Sequence, residues 1–299
     1  MKLNLREHIE GYLFISPWIL GMVLFALGPI LASFGLAFTR WNLFTEPEYV
    51  GWANFQKLAH DPLFYKSVFN TIYYTIFAVP LGLVLALGLA MLVNHRLRGV
   101  NFFRTAFFLP NVVAGIAMLL LWKWLFDPNF GLINLFLDWT GLMAVFEWIG
   151  IGRPQWISSR AGAMPGMIFM SIWGLGGSMM IFLAGLQNIP RELIEAAELD
   201  GAGPWKRFRY VTVPLLTPTI FFLTMVGVIA SLQIFNQAYV MTQGGPAHAT
   251  LFYVLYLFQT AFERFQMGYA CAMALVLFII TLIVSLIQLA MGKKWVHYQ

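Results

Sequence analysis

The chain has 299 residues, of which 60% are hydrophobic and only 10% are charged, and its mean hydropathy is +0.74. Ordinary soluble domains carry about 25% charged residues, so this composition excludes a soluble globular protein and favours a membrane protein. The net charge of +5 would suit a nucleic-acid partner, but the positions of the basic residues indicate membrane topology instead. One cysteine, Cys271, excludes an intramolecular disulfide.

Six long apolar runs predict six transmembrane helices, because about 20 apolar residues of helix cross the hydrocarbon core of a bilayer. The runs cover residues 12–38, 67–93, 106–126, 163–186, 216–242 and 268–291. Lys123 is the only charged residue within them, and its position between two tryptophans near a span end favours an interfacial anchor. No linker or internal repeat divides the chain. We therefore predict an all-α, polytopic membrane protein with a single domain over residues 1–299.

The distribution of basic residues predicts that both termini are cytoplasmic. In that orientation eleven of them lie inside: Lys2, Arg6, Arg96, Arg98, Arg104, Arg191, Lys206, Arg207, Arg209, Lys293 and Lys294. Six lie outside: Arg40, Lys57, Lys66, Arg153, Arg160 and Arg264. An excess of Lys and Arg in cytoplasmic loops is the usual pattern, and it leaves the third loop, residues 127–162, external.

The fourth and fifth runs contain residues that are unusual for lipid-facing helix. In "IWGLGGSMM", Gly174, Gly176, Gly177 and Ser178 allow either a tight helix contact or a hollow. In the next run the hydrogen-bonding side chains are Ser231, Gln233, Asn236, Gln237 and Tyr239. Such groups must face protein or water inside a bilayer. Helix-to-helix hydrogen bonds account for one or two of them, whereas a polar cavity accounts for the set.

The loop between these two runs, residues 187–215, is charged and broken by glycine. Asn188 and Pro190 predict a helix start, and the helix continues through "RELIEAAELD". Gly201 is expected to end it in a left-handed conformation, and Gly203-Pro204 to begin a second short helix. The first half is acidic and the second is basic. From the residues alone, a docking surface for a partner and a solvated connector both remain open.

A motif in this loop resembles the EAA loop of permease subunits of ATP-binding-cassette importers. Its pattern is Glu195-Ala196-Ala197, three residues, Gly201, nine residues, Val211, one residue, and Val213-Pro214. The two valines stand where the family commonly has isoleucine and leucine. The stretches "RGVNFFRTAFFLPNVV", "LWKWLFDPNFGLIN" and "YVMTQGGPAHATLFYVLYLFQTAF" resemble carbohydrate importers of the maltose, lactose and glycerol-3-phosphate type. "TQGGPAHAT" is similar to the first, F-type, of their two permeases.

The resemblance implies a multi-pass subunit of a bacterial or archaeal cytoplasmic membrane that forms half of a sugar translocation path. A second, different permease would form the other half, two ATPase subunits would grip the EAA loop, and a soluble binding protein would deliver the sugar. The residues implied in ATPase coupling are Glu195, Ala196, Ala197, Asp200, Gly201 and Pro214. ATP and Mg would be bound by the ATPase partner, so the chain is expected to bind no cofactor or metal and to catalyse no reaction.

The substrate path is predicted from two sources. Alignment to the family through "W-x-x-x-x-x-M-M" places Gly174, Leu175 and Ser178 on its sugar-contact positions, with Ser178 replacing an aromatic contact. The polarity of the fifth run adds Ser231, Gln233 and Asn236. An asparagine both donates and accepts hydrogen bonds, which suits a neutral polyol, although a packing role for Asn236 fits its sequence context equally well.

Other function classes find less support in the residues. The chain has no G-x-x-x-x-G-K-[ST] phosphate loop, no H-E-x-x-H and no paired cysteines. An ion-coupled secondary transporter, the main alternative, would need ionisable residues near mid-membrane, and the six runs offer none. An intramembrane hydrolase would need a base inside a span, but the histidines, His8, His60, His95, His248 and His297, all lie outside.

Overall fold

The computed structural model describes residues 5–95, 99–113, 115–150 and 152–296. Lys2, Arg96, Arg98 and His297 lie outside these ranges, and the side chains of Arg6 and His8 are also outside what is described. The described residues form two compact units, the first containing residues up to Asp61 with Leu257–Ile280, and the second Pro62–Tyr256 with residues 281–296.

The first unit begins with a long apolar helix that contains one π turn. Its helices are α1 (Leu5–Met22), α2 (Gly28–Leu36) and α3 (Ala53–Ala59), and the π turn spans Val23–Leu27. A short antiparallel hairpin, β1 (Thr39–Arg40) and β2 (Glu48–Tyr49), follows α2. Asn54 fixes this hairpin to α3, because its Nδ2 donates to Ala37 O and Thr39 O at 2.8 Å each.

The second unit is helical in the part of the chain that the structure describes. Its helices are α4 (Pro62–Asn94), α5 (Val100–Phe108), α6 (Gly115–Leu125), α7 (Leu132–Trp139), α8 (Met143–Trp148), α9 (Ala163–Ser171), α10 (Gly176–Gln187), α11 (Arg191–Leu199), α12 (Pro204–Arg207), α13 (Val213–Leu215), α14 (Thr217–Leu232) and α15 (Asn236–Met241). Two more, α16 (Tyr253–Phe258) and α17 (Met267–Trp295), contribute residues to both units.

Six membrane crossings are available when each bent helix pair counts as one. Three continuous stretches are long and apolar enough to cross: Ile9–Leu36, Pro62–Asn94 and Met267–Trp295. The bent pairs are Val100–Asn111 with Gly115–Leu125, Ala163–Gly174 with Gly176–Gln187 at 49°, and Pro204–Leu215 with Thr217–Leu232 at 65°. The region predicted as a fifth span, residues 216–242, is therefore not one helix, because α14 ends at Leu232 and α15 begins only at Asn236.

The centre of the second unit is α4, which packs against α10 and α14. Alanines on α4, including Ala86 and Ala90, are fully buried against Met179 and Phe182 of α10. Small residues permit this close approach, as expected for helices that pack inside a membrane. The same cluster extends to Leu216 at the beginning of α14.

One end of the second unit carries the charged loop. Arg104 of α5 donates through Nη2 to Val93 O at 2.8 Å, so it caps the last turn of α4. The end of α10 meets the beginning of α14 there, because a Cβ added at Gly185 would lie 2.9 Å from Leu216 and Thr219. The rings of Trp295, at the end of α17, and Phe221 have centroids 6.2 Å apart. Lys293 and Lys294 therefore share an end with the loop of residues 187–215.

The third loop, residues 127–162, is ordered around one buried asparagine in its described part. Asn134 is 0% exposed; its Nδ2 donates to Pro128 O and Pro154 O, and its Oδ1 accepts from Trp156 Nε1 at 2.8 Å. At the start of the loop, the Asp127 carboxylate accepts hydrogen bonds from the backbone N–H groups of Phe130 and Asn129, which hold the pKa of Asp127 below its ordinary value.

Candidate translocation cavity and coupling loop

Two helix breaks in the second unit face one cavity. The first lies between α9 and α10, where a 3₁₀ turn over Ile172–Gly174 precedes Gly176. The second lies between α14 and α15, over residues 233–235. At membrane depth, irregular backbone is tolerated where it is buried in protein or lines a cavity, and broken helices of this kind surround the substrate in many transporters.

The cavity has a volume of about 530 Å³, within the range of about 300–1,000 Å³ that is typical of small-molecule sites. All six residues predicted for the substrate path line it: Gly174, Leu175, Ser178, Ser231, Gln233 and Asn236. The structure thus brings together two groups of residues that are about 60 positions apart in the chain, as a path built from two broken helices requires.

These polar residues differ in what their side chains contact. Gln233 and Asn236 are exposed and Gln237 is half-buried, and their amides make no hydrogen bond to any other residue that the structure describes. Ser231 is different, because its Oγ lies 2.9 Å from Thr75 Oγ1 of α4 and 2.8 Å from Val228 O. The hydroxyl of Ser231 therefore joins two helices, whereas the amides remain available to a ligand.

The glycines at the first break serve two purposes. A Cβ added at Gly176 would lie 2.2 Å from Phe107 O, so this glycine allows α10 to contact the chain near the end of α5. A Cβ added at Gly174 would meet nothing within 4 Å, so this glycine faces the cavity. The Asn111 amide lies 3.2 Å from both Gly174 O and Gly177 N, in the orientation that satisfies both groups, and it secures the break.

Sequence reasoning missed the contribution of the second span to the cavity. Tyr74 of α4 lines it, as does Ser171 of α9. A signal was present, because Asn70, Thr71, Tyr74 and Thr75 have helical spacing and form one polar stripe on α4. This stripe faces protein, since the first three of these residues are 2%, 2% and 6% exposed.

The polar stripe also fixes the segment that follows α15. Asn70 Nδ2 donates to His248 O at 2.9 Å and to Leu251 O at 3.0 Å, and Thr71 Oγ1 accepts from Tyr253 N at 3.0 Å. Thr250 adds a second layer, since its Oγ1 donates to Gly245 O at 2.6 Å. These contacts anchor the chain directly after the short helix that carries Asn236 and Gln237. We call residues 244–253 the anchored segment.

The charged loop folds as its spacing predicts. α11 covers Arg191–Leu199, Gly201 has φ +77°, and α12 begins at Pro204. Ala202 N donates to Ala197 O at 2.9 Å and Gly201 N donates to Glu198 O at 3.0 Å, which together form a Schellman motif. One detail was wrong: Asn188 does not cap α11, because the residue before the first turn is Pro190 and no side chain caps it.

Five of the six predicted coupling residues lie together on or directly after α11: Glu195, Ala196, Ala197, Asp200 and Gly201. Near them Leu199 is 90% exposed and Trp205 is 73% exposed. Pro214 lies apart, half-buried in α13 at the base of α14. An ion pair between Glu198 and Arg207 links α11 to α12, while Glu195 and Asp200 make no ion pair within the described ranges.

The described residues contain no group of three or more His, Cys, Asp or Glu side chains that could hold a metal ion. The cavity and the charged loop are two regions of the second unit with functional geometry. The cavity offers uncharged hydrogen-bonding groups, and the loop offers an exposed helix with small, apolar and acidic residues.

Comparison with known proteins identifies the family. Residues 78–297 match the family "Binding-protein-dependent transport system inner membrane component". The chain is 39% identical to the probable ABC transporter permease protein YesP of Bacillus subtilis, covering 98% of this chain and 94% of YesP. It is 32% identical to AmyD of Thermoanaerobacterium thermosulfurigenes, a probable permease protein for transport of starch degradation products. That alignment covers 97% of this chain and 96% of AmyD.

The fold agrees with this assignment. A chain of a bacterial alginate ABC transporter, solved in complex with an alginate pentasaccharide-bound periplasmic protein, superposes with a TM-score of 0.81 at 20% identity, over 97% of this chain and 96% of that chain. The comparisons give no support to an ion-coupled carrier. In this family the ATPase belongs to a partner subunit, and the permease itself is non-catalytic. The chain belongs to the binding-protein-dependent transport system inner membrane components and is a permease subunit of an ATP-binding-cassette importer.

Proposed function

We propose that this chain forms half of the translocation path of a sugar importer, with Gly174, Leu175, Ser178, Ser231, Gln233 and Asn236 in that path. A second, different permease supplies the other half, and a soluble binding protein delivers the sugar. The observation that carries the proposal is the convergence of two broken helices on one uncharged polar cavity. Relatives such as AmyD, named for starch degradation products, support sugar as the substrate class.

The charged loop couples this path to ATP hydrolysis in the proposed function. Two ATPase subunits, which bind ATP and Mg, dock against the loops of the paired permeases. α11 is suited to that contact because Ala196 and Ala197 are small and Leu199 is exposed. Rigid-body motion of the ATPases then reaches α14 through the π turn Phe208–Thr212 and the 65° bend, and α14 ends at the cavity.

Substitution of Asn236 by leucine tests the path. Each hydrogen bond lost to a sugar hydroxyl is worth about 0.5–1.5 kcal/mol, so we expect sugar uptake by vesicles to fall roughly twofold to tenfold per bond. Assembly of the complex and basal ATP hydrolysis should stay near normal. Asn101→Leu is the matched control, because Asn101 is exposed on α5 and lines none of the described cavities. If Asn236→Leu prevents assembly instead, Asn236 is a packing residue.

We further propose that both termini are cytoplasmic, in a bacterial or archaeal cytoplasmic membrane. The basic half of the charged loop and Lys293 and Lys294 share one end of the second unit, which is consistent with a cytoplasmic side rich in Lys and Arg. Cysteines introduced at Arg153 and Arg207, in a Cys271→Ser background, should differ in labelling by an impermeant thiol reagent added to intact cells. We expect labelling at position 153 alone. Labelling at position 207 alone would show the opposite topology, with both termini outside.

A further inference from the structure

A second cavity adjoins the first. Its volume is about 460 Å³, and it lies among α6, α9, α15 and the turn after α5. The two cavities share five lining residues: Tyr74, Ser171, Gly174, Asn236 and Gln237. They therefore adjoin along these five residues.

The shared wall and the far wall of the second cavity differ in chemistry. The shared wall carries the hydroxyls of Tyr74 and Ser171 and the amides of Asn236 and Gln237, and these amides have no hydrogen-bond partner among the described residues. Apart from Asn111, the far wall is aromatic and apolar, and it includes Trp122 and Trp173. Their ring centroids are 5.8 Å apart with an interplanar angle of 82°, and Trp173 is 50% exposed.

This combination matches a sugar residue better than a simple apolar ligand. A pyranose or furanose ring presents hydroxyls at its edge and C–H groups on its faces. Amides can both donate to and accept from the hydroxyls, and an indole can cover an apolar face. No described residue that lines either cavity is charged, so a sugar acid or a sugar phosphate would find no ion-pair partner among these lining residues.

We propose that the two cavities are consecutive subsites for neighbouring residues of a neutral oligosaccharide. Asn236 and Gln237 lie at the junction, where they bind hydroxyls on both sides of one glycosidic bond, and Trp173 stacks on the second sugar residue. The inference rests on the proposed sugar-importing function and adds to it a ligand length and a ligand charge. It predicts that the second cavity discriminates between substrates by length.

Uptake of a length series by the reconstituted full complex with its binding protein tests this inference. The probes are neutral malto-, arabino- and galacto-oligosaccharides of one to five residues, together with oligogalacturonates of the same lengths. For each length, uptake by a variant is divided by wild-type uptake, so that the selectivity of the binding protein cancels. Trp173→Ala is compared with Trp124→Ala, a matched control because Trp124 is also 50% exposed but lines neither cavity.

We expect Trp173→Ala to lower uptake of chains of two or more residues by roughly threefold to tenfold, as loss of an aromatic contact typically does, while monosaccharide uptake stays near wild type. Trp173→Phe should restore most of the loss, and Trp124→Ala should change nothing. Loss that is equal at every length, transport of monosaccharides only, or preference for oligogalacturonates would overturn the subsite proposal and leave the sugar importer intact. Absence of uptake for every sugar in the wild type would instead refute the proposed function.

Discussion

The coupling loop and the cavity are stabilised by different kinds of contact. The turn after α11 is closed by backbone hydrogen bonds between residues at most five positions apart, and most of α11 is exposed. The cavity depends on contacts across the chain, such as Thr71 to Tyr253, which are 182 positions apart. We therefore expect substitutions in the loop to separate transport from folding, and substitutions of the packed residues that hold the cavity wall in place to affect both.

The largest effect is expected at Gly176, the packing glycine of the first helix break. Gly176→Val should prevent folding, because even a Cβ would lie 2.2 Å from Phe107 O and 2.8 Å from Phe108 Cα, and neither backbone atom can move freely. Gly174→Ala is the matched control, since its Cβ meets nothing within 4 Å. For both variants, the measurements are the abundance of the subunit in the membrane and the thermal stability of the purified complex. Equal abundance of the two variants would contradict the distinction between packing glycine and cavity glycine.

In the coupling loop, Gly201→Val should abolish most transport while leaving the subunit in the membrane. A left-handed conformation costs a β-branched residue roughly 1–2 kcal/mol, so the Schellman turn would open and α11 would lose its orientation. Co-purification of the ATPase and sugar uptake by vesicles are the measurements. Gly201→Asn should retain more ATPase co-purification and more sugar uptake than Gly201→Val, because asparagine tolerates the left-handed conformation. Near-normal values for Gly201→Val would mean that the loop is only a connector.

A smaller effect is expected at Asn70, whose hydrogen bonds join α4 to the anchored segment. Asn70→Leu leaves the buried Leu251 O without its donor, at a cost of about 1–3 kcal/mol, and removes one of the two donors to His248 O, which keeps the Leu251 N–H. The anchored segment should loosen, and the orientation of α15 with it, so the KM for sugar uptake should rise several-fold more than the maximal rate falls. Asn101→Leu again serves as the control. A lower melting temperature with an unchanged KM would assign Asn70 to stability alone.

The same contrast explains which features could be predicted from the sequence. The EAA loop is local, so its spacing alone predicts α11, the turn at Gly201 and α12. The polar residues of the fifth run predict a cavity because exposing their side chains to lipid would cost much free energy. The break over residues 233–235 could not be predicted, since no proline or glycine interrupts the sequence there. The contribution of α4 to the cavity wall depends on long-range packing, so it too could not be placed from the sequence. Its polar stripe, however, can be recognised in the sequence from its helical spacing.

The smallest effect is expected for the ion pair within the coupling loop. Glu198 and Arg207 join α11 to α12 near the surface, with side chains that are 54% and 25% exposed. Pairs of this kind contribute roughly 0.2–1 kcal/mol, so Glu198→Ala should reduce uptake less than twofold. The turn itself should persist, because its hydrogen bonds use backbone groups.

Glu195→Lys is the variant to compare with Glu198→Ala, because it tests contact with the ATPase directly. Glu195 lies on the same helix, is exposed and makes no ion pair within the described part of the chain, so its charge is available to the ATPase. Reversal of that charge should weaken ATPase co-purification and uptake more than Glu198→Ala does, and a compensating charge reversal in the ATPase groove should partly restore both. Rescue of this kind requires contact with Glu195. If Glu198→Ala proves the more damaging change, the loop acts through its internal rigidity rather than through its acidic surface.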